Sequence, residues 1–204
     1  MSEIVVSTVS SAAIEPFLDA VASLRIRVFR DFPYLYDGSL SYERDYLAGF
    51  AAAEGSVLVL ARDGDEVVGC ATAMPMAAAD PEFQRPFRAT LIPTEGIFYF
   101  GESVLDPAWR GQGIGHRFFD QREAAARAAG ASLITFCAVQ RPTDHPMKPA
   151  DYRPLDAFWK KRGYTRRDDL RTEFTWKDID QPIETGKTMV YWVRGLKGLG
   201  ARDP

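Results

Sequence analysis

The sequence predicts a mixed α/β fold, and three observations carry that expectation. Short β-branched or apolar runs recur along the chain. Stretches with apolar residues at helical spacing lie between them, and proline- and glycine-rich segments break the two kinds apart. The predicted order is β-α-α-β-β-β-α-β-α-β-β. The 204 residues are 46% hydrophobic, 12% aromatic and 26% charged, which suits a single domain over residues 1–204 with a substantial core.

Each element has its own signal. IVVSTV (Ile4 to Val9) is short and β-branched and reads as the first strand. Glu15-Pro16 opens a helix whose Phe17, Leu18, Val21, Leu24, Val28 and Phe29 share one face. The tyrosine-rich FRDFPYLYDG, broken by Pro33 and Gly38, reads as a loop running into a second helix from Tyr42 to about Ala52. Val57 to Ala61 and Val67 to Ala73 form a hairpin about Asp63-Gly64-Asp65. Pro75 to Glu95, with Pro75, Pro81, Pro86 and Pro93, reads as a loop with a short helix.

GIFYFGESVL then forms a strand ending at Leu105. Gly113 to Ala129 is helical, with Ile114, Phe118, Ala125 and Ala129 on one face, His116, Asp120 and Arg127 pointing away, and Gly130 as the stop. LITFCAV is a strand of the kind buried on both faces. A proline-broken loop leads to a helix from Pro154 that carries Leu155, Phe158 and Trp159 and ends at Gly163. TEFTWK and TMVYWVR alternate as closing strands.

Composition narrows the functional classes. The net charge of −3 and the lack of a Lys/Arg-rich run argue against a nucleic-acid partner. No apolar run approaches the roughly 18 residues of a membrane span, and the N-terminus lacks a signal-peptide pattern. Cys70 and Cys137 lie in apolar runs and read as buried free thiols, which implies a reducing, cytoplasmic setting. His116 and His145 are far apart, and no cluster has metal-ligand spacing, so no metal is expected. His116 reads as a solvated position in the first turn of its helix. No serine has nucleophile-elbow context.

The chemistry concentrates in DPAWRGQGIGHRFF, Asp106 to Phe119. In a strand–RGQGIG–helix unit, small residues admit a ligand close to the backbone, and first-turn N–H groups have no intrahelical partner. The helix dipole favours negative charge there, so the site suits a phosphate or pyrophosphate, with Arg110 adding a charged contact. Glycine costs a helix about 0.8–1.0 kcal/mol relative to alanine, so Gly113 and Gly115 point to a ligand rather than a bare turn. A P-loop would need Lys-Ser/Thr where His116-Arg117 stand. A dinucleotide fingerprint would need G-x-G-x-x-G, whereas Gly111, Gly113 and Gly115 are spaced G-x-G-x-G. The strand that follows also ends in Gln140-Arg141 rather than an acidic residue.

LDPAWRGQGIGHRFFDQ resembles motif A of the GNAT superfamily of acetyl-CoA-dependent N-acetyltransferases. Leu105-Asp106-Pro107 stands at the family's V-x-P, and Arg110 to Gly115 at its R/Q-x-x-G-x-G/A loop. DAFWKKRGY resembles the second signature, an aromatic-rich helix closed by glycine and an aromatic. The resemblance implies a central mixed, mostly antiparallel sheet flanked by helices. It implies acetyl-CoA as co-substrate, bound by Val104, Leu105, Arg110, Gly111, Gln112, Gly113, Ile114 and Gly115. It also implies direct attack by an amine on the acetyl carbon, with a backbone N–H near Leu105 polarising the thioester carbonyl.

On that reading Glu102 is the carboxylate placed to deprotonate the amine, the alternative being a strand carboxylate paired with a buried cation or merely solvated. Many family members carry a tyrosine as general acid where this chain has Trp159. Tyr152 or water would take that role instead. Tyr34 and Tyr36 are candidates to line the acceptor site, with packing as the alternative, and the acceptor is expected to be a small-molecule amine. The implied function is an acyl-CoA-dependent N-acyltransferase, monomeric or homodimeric. The alternatives are a non-catalytic acyl-CoA-binding or sensing domain and, less well matched by the loop, a nucleotide-binding module.

Overall fold

A computed structural model describes residues 4–10 and 13–196. Residues 1–3, at the head of the N-terminal stretch read above, lie outside the described residues. The elements run β1 (Val5–Ser10), α1 (Leu18–Phe29), α2 (Leu40–Ala52), β2 (Val57–Asp63), β3 (Glu66–Pro75) and α3 (Pro81–Ala89). They continue with β4 (Ile97–Leu105), α4 (Ile114–Ala128), β5 (Leu133–Val139), α5 (Asp156–Lys161), β6 (Thr165–Lys177) and β7 (Glu184–Gly195). The sheet has seven strands in the order β1-β2-β3-β4-β5-β7-β6. Every neighbouring pair is antiparallel except β4–β5, so the expected mixed, mostly antiparallel sheet is present.

Helices cover both faces because each presents one apolar stripe. Val21, Leu24 and Phe29 of α1 and Leu47 and Phe50 of α2 pack on Leu58, Leu60, Cys70 and Val104. α3 extends that layer with Phe87, which meets Tyr191 edge-on at 5.0 Å. On the opposite face Ile114 and Phe118 of α4 meet Val59, Ala61, Val68 and Ala71. Phe119 enters an aromatic cluster with Phe100, Phe136, Phe158 and Tyr164. Cys70 and Cys137 are free and buried. No helix among the described residues is long and apolar enough to cross a membrane.

The proline-rich segment contains the expected short helix, α3, nine residues with Pro81 in its first turn and Asp80 as its cap; Asp80 Oδ1 accepts from Glu82 N at 2.9 Å. Other elements differ from the sequence-based expectation. The buried stripe of α4 runs through Ala126, while Ala125 is only partly buried and Ala129 is exposed. The helix after Pro154 begins at Asp156. β6 starts at Thr165, ahead of TEFTWK. Its first half, TRRDDLR, lies on the sheet edge, where exposed charges mask the strand signal and discourage edge pairing.

Two irregularities in the middle of the sheet position the site. β4 pairs with β5 only from Ile97–Leu133 to Tyr99–Thr135, whereas β5 pairs with β7 over its whole length. β4 meanwhile follows β3 out to Leu105. The two parallel strands therefore part after Tyr99 and leave one edge of Phe100 to Leu105 without a strand partner among the described residues. The β3–β4 register also shifts between Ala71–Ser103 and Ala73–Phe100, which makes a bulge at Gly101-Glu102.

Trp192, 1% exposed, packs on Phe136 and Trp159. Trp192→Ala is expected to cost about 3–5 kcal/mol, read as a lower urea midpoint at unchanged m.

Candidate active site

The strand–loop–helix unit leaves a row of donors. Gly111 and Gly113 both have φ of 78°, a left-handed conformation that glycine alone adopts without strain, and a Cβ at either would meet nothing within 4 Å. Gly113 occupies the N-cap of α4 with no side-chain cap. Among the described residues, no acceptor receives the N–H groups of Gly111, Gln112, Gly113, Ile114 or Gly115. These donors stand at the positive end of a 15-residue helix. Arg110, half-exposed, donates from Nε to Leu105 O at 3.3 Å and lies 3.9 Å from Asp31, so it sits beside the row. Leu105 ends β4 at the mouth of the loop, partly buried. Val104 is fully buried, its side chain in the α1–α2 core.

The bulge is held from both faces. Gly101 is required there, since a Cβ would come within 2.3 Å of Thr72 Oγ1. That hydroxyl accepts from Glu102 N at 3.1 Å. From the α4 face, Arg122 donates from Nη1 to Thr72 O at 3.3 Å and to Glu102 O at 3.2 Å. Its Nη2 donates to Ser103 Oγ at 2.7 Å, and its guanidinium lies over the Phe100 and Phe119 rings. No carboxylate pairs with it among the described residues. Burial pushes its pKa down to about 10, so it is charged at neutral pH.

On the α1–α2 face the Glu102 side chain, 8% exposed, contacts the guanidinium of Arg25, which also binds Glu43. Two carboxyl groups thus share one buried cation. Arg25 also lies 4.6 Å from the centre of the Tyr46 ring.

The acceptor-side tyrosines separate. Tyr36 packs against the α1–α2 core, and burial together with the neighbouring Glu43 pushes its phenol well above the ordinary range. Tyr34 stacks on Trp176 at 6.0 Å and meets Phe29 at a tilt at 4.5 Å, and burial likewise raises its phenol. Tyr152, on the loop after β5, meets Phe32 edge-on at 4.7 Å, and burial followed by the Asp156 charge raises its pKa. Trp159 packs in the core against Phe136 and Trp192, both at 5.1 Å. His116 is exposed as expected, and its Nδ1 lies 3.2 Å from Arg162. No metal-holding cluster occurs among the described residues.

The loop carrying Tyr34 is clamped by charges that the sequence reading does not single out. Arg141 donates to Pro33 O at 2.7 Å and Tyr34 O at 2.6 Å, and it binds Asp178 through two bonds of 2.7 and 2.9 Å. Burial pushes the Asp178 carboxyl up, but the Arg141 hydrogen bonds and the Arg141 and Lys187 charges hold it below the usual range. Arg25 and Arg122 were missed for one reason: each is a charged residue on an otherwise apolar helical stripe. Arg25 follows Val21 by four positions, and Arg122 follows Phe118 by four. A cation at such a position is the signal that would have found them.

The chain matches the Acetyltransferase (GNAT) family over residues 21–164. No curated protein sequence matches it. Among solved structures it is similar to a ribosomal-protein-alanine N-acetyltransferase from Brucella melitensis, with 13% identity, 94% of this chain and 99% of that one covered, and a TM-score of 0.61. It is similar to an N-acetyltransferase from Staphylococcus aureus Mu50, with 12% identity, 96% and 100% covered, and a TM-score of 0.62. A third similar structure is a putative acetyltransferase from Salmonella typhimurium with its cofactor acetyl-CoA, with 11% identity, 98% of each chain covered and a TM-score of 0.60. At these identities the structures speak for the fold, and the sequence match over residues 21–164 speaks for the family: the chain belongs to the GNAT acetyltransferase family.

Proposed function

We propose that the protein transfers an acetyl group from acetyl-CoA to a small primary amine by direct attack. The observation that carries this reading is the row of unpaired N–H groups at the start of α4, beside the open edge of β4. Residues Arg110 to Gly115 fit a pyrophosphate: donors without acceptors, no Cβ in the way at Gly111 and Gly113, and a cation alongside. Val104 and Leu105 offer backbone groups to the rest of the coenzyme. When bound, acetyl-CoA supplies the activated acyl group as a thioester.

The chain's own residues then handle charge and protons. A backbone N–H near Leu105 is assigned to polarise the thioester carbonyl. An amine with a pKa near ~10.4 is mostly protonated at neutral pH and must first lose a proton. Glu102 is assigned to take it, directly or through water, although its pairing with the buried Arg25 is the structural role that the sequence holds as the alternative; Arg25 fixes its carboxylate and Thr72 its backbone. Tyr152, whose raised pKa keeps it protonated at neutral pH, is assigned to protonate the leaving thiolate. A thiolate with a pKa near ~8.5 also leaves with only water as acid. Tyr34 shapes the acceptor side, while Tyr36 serves it indirectly through Glu43. We assign the protein to the cytoplasm, as a monomer or homodimer without nucleic-acid or membrane partners, in keeping with its buried free thiols.

A second reading, an acyl-CoA-binding domain without catalysis, draws on Trp159, a partly buried residue with no hydroxyl where many relatives have an acid. Glu102→Gln separates the two. The enzyme reading expects kcat to fall by about 10²–10⁴ with acetyl-CoA affinity retained, measured by coenzyme A release and calorimetry. Unchanged kcat would remove Glu102 as the base. Tight acetyl-CoA binding without turnover on any amine would favour the second reading. Arg122→Met strands the carbonyls of Thr72 and Glu102, at about 1–3 kcal/mol each, and is expected to lower the urea midpoint and to reduce kcat more than it raises the KM for acetyl-CoA.

A further inference from the structure

Between α2 and α3, on the sheet face that carries the Glu102 side chain, lies a cleft of about 240 Å³. Tyr46 and Phe50 of α2, Phe83 of α3, and Met74 and Tyr99 of the sheet give it an apolar, aromatic lining. Among the described residues, no lysine or arginine lines it. The exposed Asp80 stands at its mouth.

The inner end reaches the candidate active site. Gly101 and Thr72 of the bulge line it, and Thr72 Oγ1 accepts from Glu102 N at 3.1 Å. The Tyr46 ring is shared between the cleft and Arg25, which pairs with Glu102. Tyr99 marks the last β4–β5 pair, and its hydroxyl lies 3.4 Å from Cys137 Sγ on β5. The cleft therefore runs from the Asp80 carboxylate to the place where the two strands part.

A glycine keeps its wall open. Gly49 lies in the interior of α2, where glycine costs about 0.8–1.0 kcal/mol relative to alanine. Its backbone is helical, and nothing lies within 4 Å of the point where a Cβ would stand. Neither conformation nor packing calls for glycine there. What it provides is room.

We propose that this cleft seats the apolar body of the acceptor, a monoamine bearing one aromatic ring or one branched alkyl group. The inference rests on the acetyl-transfer reading. The volume falls just below the roughly 300–1,000 Å³ of drug-sized sites, which limits the body to a single small group. Asp80 at the outer end attracts the ammonium form, and the inner end stops at Thr72 and Gly101, next to Glu102. A polycation threaded through the cleft would bury an internal ammonium among Phe50, Phe83 and Met74, away from Asp80, which is costly.

The test uses the full chain as wild type, Gly49→Ala and Gly49→Leu. Acetyl-CoA binding is measured by calorimetry, and then binding and turnover of benzylamine, isobutylamine and spermidine, with and without coenzyme A. The proposal expects benzylamine and isobutylamine to have a kcat/KM at least about tenfold above that of spermidine. It expects Gly49→Leu to raise the benzylamine KM about tenfold or more at unchanged acetyl-CoA affinity, and Gly49→Ala to unfold at a higher temperature while still binding benzylamine. Spermidine as the better substrate, or an unchanged benzylamine KM in Gly49→Leu, would overturn it. Benzylamine binding that Gly49→Leu abolishes, in a protein that does not bind acetyl-CoA, would uphold the cleft and overturn the acetyl-transfer reading.

Discussion

Arg122 reaches from α4 to the bulge between β3 and β4, where one Nη1 serves the carbonyl oxygens of both Thr72 and Glu102. A bulge in a central strand leaves backbone groups unpaired in a place water does not reach, and such groups are costly unless a donor is supplied. The guanidinium supplies it at 1% exposure. With the carbonyls held on one side, the Glu102 side chain emerges on the other, among Arg25 and Glu43. The same interaction ties α4, whose first turn carries the open donors, to the strand that carries the carboxylate. The two ends of the proposed chemistry are thereby fixed to one rigid unit.

Charge is distributed with the same economy. Arg25 holds two carboxyl groups and Asp178 holds two basic side chains, Arg141 and Lys187, so each cluster keeps its members close. Removing one member would strand the others in the interior, where an unpaired charge is heavily penalised. The first cluster borders the cleft, and the second clamps the loop that bears Tyr34. The acceptor side is therefore framed by buried ion pairs, while the coenzyme side is framed by backbone donors and glycines.

Much of the fold was legible because its signals are local. The hairpin about Gly64, the strand ending at Leu105, the glycine loop and the helix it opens all depend on neighbours in sequence, and the boundaries of β4, α4 and β5 follow closely. What was not legible depends on partners distant in sequence. The parting of β4 and β5 comes from their competing attachments to β3 and β7, which no local pattern records. The first half of β6 hides behind the charges that protect a sheet edge. Arg25, Glu43 and Arg122 break the apolar pattern of their helices, and their reason becomes visible only when the bulge is in place. Gly49 reads as an ordinary weak point in α2 until the cleft beside it is seen.

The account stands on the claim that the loop Arg110 to Gly115 holds the coenzyme A pyrophosphate. Thermal unfolding of the wild type and of Gly113→Val, with acetyl-CoA, NAD or ATP, tests it most directly. A ligand at a hundredfold excess over Kd adds about 2.7 kcal/mol. For a chain of this size that is a rise in Tm of roughly 5–10 °C. The account predicts that rise for the wild type with acetyl-CoA alone, and its loss in Gly113→Val, where a β-branched residue is forced to a φ of 78°. No rise with acetyl-CoA at millimolar concentration, or an equal rise with NAD or ATP, would contradict it.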